Sequence, residues 1–190
     1  IMKDKLLLLL FITTFSLNAQ IPTIQWQKSF GGSNEDYVNN IIETSDGGYA
    51  LVGKSLSTDI MDYHGNFDLI VMKLDNAGNV QWQRLLGGSG VDEGHTIKQT
   101  SDGGFIIAAE STSNDGDITG HHGGVYPRDA WIIKLSSIGN IQWQKSIGGD
   151  GDDTAYSIQQ TSDGGYIFSG YSNSNNGDLT LNYGGYDFLI

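Results

Sequence analysis

One phrase recurs three times along the 190-residue chain, and no other feature limits the fold as much. It reads Trp26-Gln27-Lys28-Ser29-Phe30-Gly31-Gly32, then Trp82-Gln83-Arg84-Leu85-Leu86-Gly87-Gly88, then Trp143-Gln144-Lys145-Ser146-Ile147-Gly148-Gly149, with the tryptophans 56 and 61 residues apart. A fixed period of this size is the mark of a repeat architecture, in which each unit must bury its apolar faces against its neighbours. The remainder of the unit keeps step. An acid follows each Gly-Gly (Asp36, Asp92, Asp153), a Thr-Ser-Asp-Gly-Gly-aromatic phrase follows at 44–49, 100–105 and 161–166, and a further acid comes at Asp68, Asp129 and Asp187. The difference in spacing falls in one stretch, 55–68 against 111–129, as when a constant scaffold carries a variable loop.

Each unit predicts four strands. In the first copy they are 38–44, 49–55, 67–74 and 80–86, and Ser45-Asp46-Gly47-Gly48 and Asp75-Asn76-Ala77-Gly78-Asn79 supply the turns. Glycine at 27 of 190 residues with only two prolines suits short strands and tight turns. Apolar runs such as Tyr49-Ala50-Leu51-Val52 and Phe105-Ile106-Ile107-Ala108-Ala109 do not alternate, so those strands are expected to be covered on both faces. The fold class that follows is all-β: a β-propeller-like array of four-stranded antiparallel blades, about two and three-quarter repeats at approximately 26–81, 82–142 and 143–190. Residues 24–30 read as a lone fourth strand ahead of the first full unit, and the sequence stops within a third strand, which suggests a piece of a longer protein.

Met2, Lys3 and Lys5, an apolar stretch over 6–15 and a small Ala19 read as a secretory signal peptide over 1–19, leaving 20–190 as the partial propeller. The apolar run is shorter than the ~20 residues a membrane span needs, so no membrane insertion is expected after cleavage. The mature chain keeps eight basic and 21 acidic residues, a net charge of −13. Such a surface repels phosphate backbones and anionic lipids, which argues against nucleic acid and makes cations natural partners. The chain has no cysteine, so disulfides and thiol chemistry are excluded.

The repeated Trp-Gln-Lys-x-x-Gly-Gly, Thr-x-Asp-Gly-Gly-Tyr and Gly-Asn-Ile-x-Trp phrases resemble the propeller-like repeats of large secreted proteins of Bacteroidetes, many of which end in a type IX secretion sorting domain. The resemblance covers about 24–190. It implies a secreted or cell-surface protein and leaves its biochemical role open.

Asn114-Asp115-Gly116-Asp117-Ile118-Thr119-Gly120 is echoed by Asn175-Asn176-Gly177-Asp178-Leu179-Thr180. Oxygen-bearing side chains around a glycine could wrap calcium, with Asp115, Asp117, Asn176 and Asp178 as ligands. The plainer reading, and the favoured one, is an Asx-type turn bonded to nearby backbone. The first copy, Ser57-Thr58-Asp59-Ile60, breaks the motif. Thr-x-Asp-x-Gly matches the front half of the Asp box of sialidases, a structural hairpin, and is read as a turn. Asp36, Asp92 and Asp153 recur once per unit and are read as structural contacts, because a glycosidase needs one opposed carboxylate pair. His121 and His122 would point to opposite faces of a strand and so are not expected to share an ion. Trp26, Trp82, Trp143 and Trp131 are read as packing residues.

Three function classes remain. The first is a non-catalytic binding or scaffold module whose variable loops engage a glycan, a surface protein or a cation. The second is a fragment of a carbohydrate-active enzyme with its catalytic residues elsewhere, and the third an adhesin-like structural spacer.

Overall fold

A computed structural model describes residues 23–124 and 127–190; the signal-peptide reading lies outside the described residues. These residues form eleven β-strands and no helix. The first sheet holds β1 (Asp36–Glu43), β2 (Tyr49–Ser55), β3 (Asp68–Leu74) and β4 (Val80–Leu86). The second holds β5 (Asp92–Gln99), β6 (Phe105–Ser111), β7 (Asp129–Leu135) and β8 (Ile141–Ile147), and the third β9 (Asp153–Gln160), β10 (Tyr166–Ser172) and β11 (Asp187–Leu189). In each sheet the strands lie in chain order and pair antiparallel, giving the expected propeller-like array of blades. The first two sheets run from acid to Trp-bearing strand, so the repeat as read from one tryptophan to the next straddles two blades.

The local reason for the β1–β2 hairpin is the Thr-Ser-Asp-Gly-Gly phrase. Gly47 adopts φ 77°, a left-handed conformation that costs glycine little. The Asp46 carboxylate accepts from Thr44 Oγ1 at 2.5 Å and from Gly48 N–H at 3.1 Å, and Lys73 of β3 reaches it at 2.9 Å. Thr100, Asp102, Gly104 and Lys134 repeat the arrangement in the second blade.

Packing between blades follows the pleat. Ala50, Val52, Leu69 and Val71 of the first blade meet Ile97, Phe105, Ile107, Trp131 and Ile133 of the second. One step on, Ile106, Ala108, Ala130 and Ile132 meet Ala155, Ile158 and Leu189 of the third. The middle blade is therefore covered on both faces, and every residue of β6 and β7 is buried. Trp131 is fully buried and donates its Nε1–H to Gln144 Oε1 at 2.8 Å, as a core tryptophan should. Strand β10, which has the same residue pattern as β2 and β6, is buried only in part, because among the described residues no sheet lies on its far face.

Residues 24–30 form no strand. Among the described residues they have no strand beside them to bond, yet Trp26 packs edge-on against Tyr49 at 5.6 Å. Trp82 packs in the same way on Phe105 at 5.8 Å, and Trp143 on Tyr166 at 5.5 Å. The segment thus occupies the place of a fourth strand without the sheet that would make it one.

Candidate functional site

The repeated acids hold the junctions between blades. Asp92 accepts from Gly88 N–H at 2.8 Å and from Ser113 Oγ at 2.9 Å, and also binds the Ser111 hydroxyl. Asp36 does the same with Gly32, Ser57 and Ser55, and Asp153 with Gly149 and Ser174. A Cβ on Gly87 would lie 2.5 Å from Asp92 Oδ2 and 3.0 Å from Asp68 Oδ1, which explains the glycine at that point of each junction. Burial, joined by the neighbouring Asp92 charge, pushes the Asp68 carboxyl above its ordinary value; burial does the same to Asp92 and Asp129.

The candidate calcium ligands fall on these same junctions. Asp115 Oδ1 accepts from Ser89 N–H at 2.7 Å, and Asn176 Oδ1 from Asp150 N–H at 2.8 Å. Asp59, in the copy that breaks the motif, accepts from Ser33 N–H at 2.8 Å, so the role survives where the phrase does not. Asp117 Oδ2 accepts from Gly87 N–H at 3.2 Å and stands 4.0 Å from His64 Nε2, and Asp178 Oδ2 stands 3.9 Å from His122 Nε2. Backbone of the preceding Gly-Gly turn is what these four residues chiefly meet. Among the described residues no group of three or more His, Asp or Glu side chains is placed to hold a metal ion.

The adjacent histidines correct one expectation. They sit on the loop before β7 and not on a strand, so both rings face one acid: His122 Nδ1 lies 3.0 Å and His121 Nδ1 3.6 Å from Asp129 Oδ2. The alternation argument applies only to extended, paired backbone.

A different set of side chains breaks the repeat. Superposing the three units on their acids aligns Asn39 with His95 and Tyr156, Lys54 with Glu110 and Tyr171, and Phe67 with Arg128 and Tyr186. The strand registers put these positions at one end of the blades, where Tyr37 faces Lys54, Glu93 faces Glu110 and Thr154 faces Tyr171. Between the first two blades Lys54 Nζ reaches Glu93 Oε2 at 2.7 Å and lies over the rings of Phe67 and Tyr37. Between the second and third, buried Glu110 gathers Thr154 Oγ1 at 2.8 Å, His95 Nε2 at 3.2 Å and Arg128 Nε at 3.4 Å. Burial pushes the Glu110 carboxyl up, but bonds from His95 and Thr154 and the Arg128 charge outweigh it and hold it below the usual value.

An aromatic run leads out from that acid. His95 and Tyr156 lie 4.8 Å apart, Tyr156 and Tyr171 5.6 Å, and Tyr171 and Tyr186 4.9 Å with rings edge to face. Tyr186 Oη reaches Asp152 Oδ2 at 3.3 Å. Tyr156 and Tyr186 are exposed, and a shallow hollow lined by Pro127, Asp150, Gly151, Asp152 and Asn173 adjoins Arg128 and Asp152. Exposed rings beside a fixed ion pair and carboxylates can take the apolar face of a ligand and bond its polar edge. Reading each acid for its recurrence passes over Glu110; reading the three copies column by column picks out the whole set.

No family model matches the chain, and no curated protein matches it. Among the described residues no helix is long and apolar enough to cross a membrane.

Proposed function

We propose that the chain is a non-catalytic binding or scaffold module of a secreted or cell-surface protein, and that its ligand is a neutral glycan or glycan-like surface held by the unrepeated face. The observation that carries this reading is the cluster of Glu110, His95, Arg128, Tyr156, Tyr171 and Tyr186 on a scaffold whose junction acids Asp36, Asp92 and Asp153 recur blade by blade. Rings of this kind offer flat area at low entropic cost, and the carboxylates beside them accept hydroxyl hydrogens. The acidic surface turns anionic polymers away. The resemblance to propeller-like repeats of secreted Bacteroidetes proteins, and the signal peptide read over 1–19, support an exported location.

The test is calorimetry against a panel of neutral oligosaccharides. Binding by the wild type, weakened at least tenfold in Tyr171→Ala and Tyr186→Ala with the melting temperature kept, supports the reading. Unchanged affinity in both variants would remove the face from the binding site, and turnover of any oligosaccharide would replace the module with an enzyme.

A further inference from the structure

Where the chain passes from one blade to the next, the loop after the new blade's second strand clasps the residue that follows the Gly-Gly turn. In the first two copies the turn donates and the loop accepts. Ser33 gives Asp59 Oδ1 its N–H at 2.8 Å and its hydroxyl at 2.9 Å, and Ser89 gives Asp115 Oδ1 its N–H at 2.7 Å. In the third copy both members change: the turn residue is Asp150 and the loop residue Asn176. Asn176 Oδ1 accepts from Asp150 N–H at 2.8 Å, and its Nδ2 donates to Asp150 Oδ2 at 2.5 Å. A carboxylate on the turn needs an amide on the loop, because a second carboxylate has no hydrogen to give.

Gly177 follows Asn176, the one Asn-Gly step in the sequence, and the fold fixes that glycine. Its φ of 68° is left-handed, and a Cβ there would lie 2.3 Å from Gly148 O, so no larger residue fits. With no side chain on residue 177, nothing shields the Asn176 side-chain carbonyl carbon from the following nitrogen. Asn176 is exposed, and so is its counterpart Asp115 in the middle blade, which has a blade on either side. Water therefore reaches the loop through the build of the junction itself.

We propose that Asn176 is a self-modifying site, at which the chain converts its own asparagine to aspartate and isoaspartate with water as the only co-reactant. The Gly177 nitrogen attacks Asn176 Cγ, and the Cγ–Nδ2 bond breaks. Ammonia leaves with the proton that the Gly177 nitrogen gave up, and a succinimide ring remains. Water then adds to one of the two ring carbonyls. Breaking the bond from Cγ to the Gly177 nitrogen gives aspartate, and breaking the bond from the Asn176 main-chain carbonyl carbon gives isoaspartate. Either product removes the Nδ2 donor and sets a new negative charge against Asp150. The clasp opens, and the bond from Asp178 N–H to Gly148 O at 2.9 Å loses its support. While closed, the clasp holds the side-chain amide on Asp150, so the rate follows the fraction of time the junction is open. Asp150 also lines the hollow beside Arg128, which places the new charge at the edge of the unrepeated face.

The test is to hold the purified protein at mildly alkaline pH and follow residues 173–180 by peptide mapping and mass. Wild type is expected to gain the mass difference of NH2 replaced by OH, with isoaspartate at 176 and ammonia released in equal amount. Asn176→Gln, which would have to close a larger ring, is expected to stay unchanged at that site over the same period. Asp150→Ala removes one hydrogen bond from the clasp and should react about fivefold faster, the factor that one bond of ordinary net strength sets. Asn176→Asp, which is one of the two products, should exchange its Asp178 amide hydrogen faster than wild type does. A residue 176 that stays asparagine in the folded protein while a synthetic peptide of residues 173–180 is converted overturns the inference. So does a rate in Asp150→Ala no faster than that of wild type, or an Asp178 exchange rate unchanged in Asn176→Asp.

Discussion

Asp92 and Glu110 are both buried carboxylates at a boundary between blades, and they differ in everything else. Asp92 recurs as Asp36 and Asp153, is satisfied by backbone and hydroxyl donors of its own junction, and has its carboxyl pushed up by burial. Glu110 occurs once, collects a histidine, an arginine and a threonine from three strand ends, and is held below its usual value. An acid that a repeat needs in every unit serves the fold. An acid that one unit alone carries, with an arginine and a histidine that also occur once, is free to serve a ligand.

The comparison can be broken in several ways. The largest loss should come from the repeated scaffold itself: Trp131→Ala opens a cavity between the first two blades and is expected to cost about 3–5 kcal/mol by denaturant unfolding. Asp92→Ala strands the Ser111 and Ser113 hydroxyls and the Gly88 N–H, for an expected cost of about 3 kcal/mol with the same measurement. Glu110→Gln keeps shape and one acceptor, so a smaller destabilisation of about 1 kcal/mol is expected, together with a clear loss of ligand affinity. If Asp92→Ala and Glu110→Gln damage stability and binding in equal proportion, the division between fold and ligand fails.

Acid sharpens the contrast. Asp68, Asp92 and Asp129 have folded values raised above the unfolded ones, so the folded state binds their protons more tightly. Their contribution to stability is absent at neutral pH, appears as pH falls through the raised values and is complete below the unfolded value of about 3.9. Glu110 and the hairpin acids Asp46 and Asp102 act in the opposite sense, since their stabilisation is lost as pH falls through their lowered values. Asp68→Asn and Asp129→Asn should therefore remove the stabilising response to mild acid in denaturant melts taken between pH 7 and 4.5. The smallest expected effect is at an exposed hairpin: Asp46→Asn weakens its pair with Lys73 for about 0.5 kcal/mol.

Much of the architecture is legible before any coordinates. Period, turn glycines and unbroken apolar runs lead to the strand bounds within two residues, and the reading of Trp131 as core stands. The expectation at 24–30 differs in one respect, for a strand is a relation between two segments and this one has no partner beside it among the described residues. The adjacent histidines lie on a loop, where the alternation of a strand face does not apply. The candidate calcium ligands are found bonding the Gly-Gly turn, a contact about 26 residues away that no local motif announces.

Sequence alone determines the number of units, their strands and turns, and the net acidity, because each of these depends on residue type and on spacing along one unit. Tertiary structure decides which acids end up sharing a junction and which rings line up from Tyr156 to Tyr186. Those relations join residues of different strands, and in the step from His95 to Tyr156 of different blades, so they exist only once the strands have paired and the blades have packed against one another.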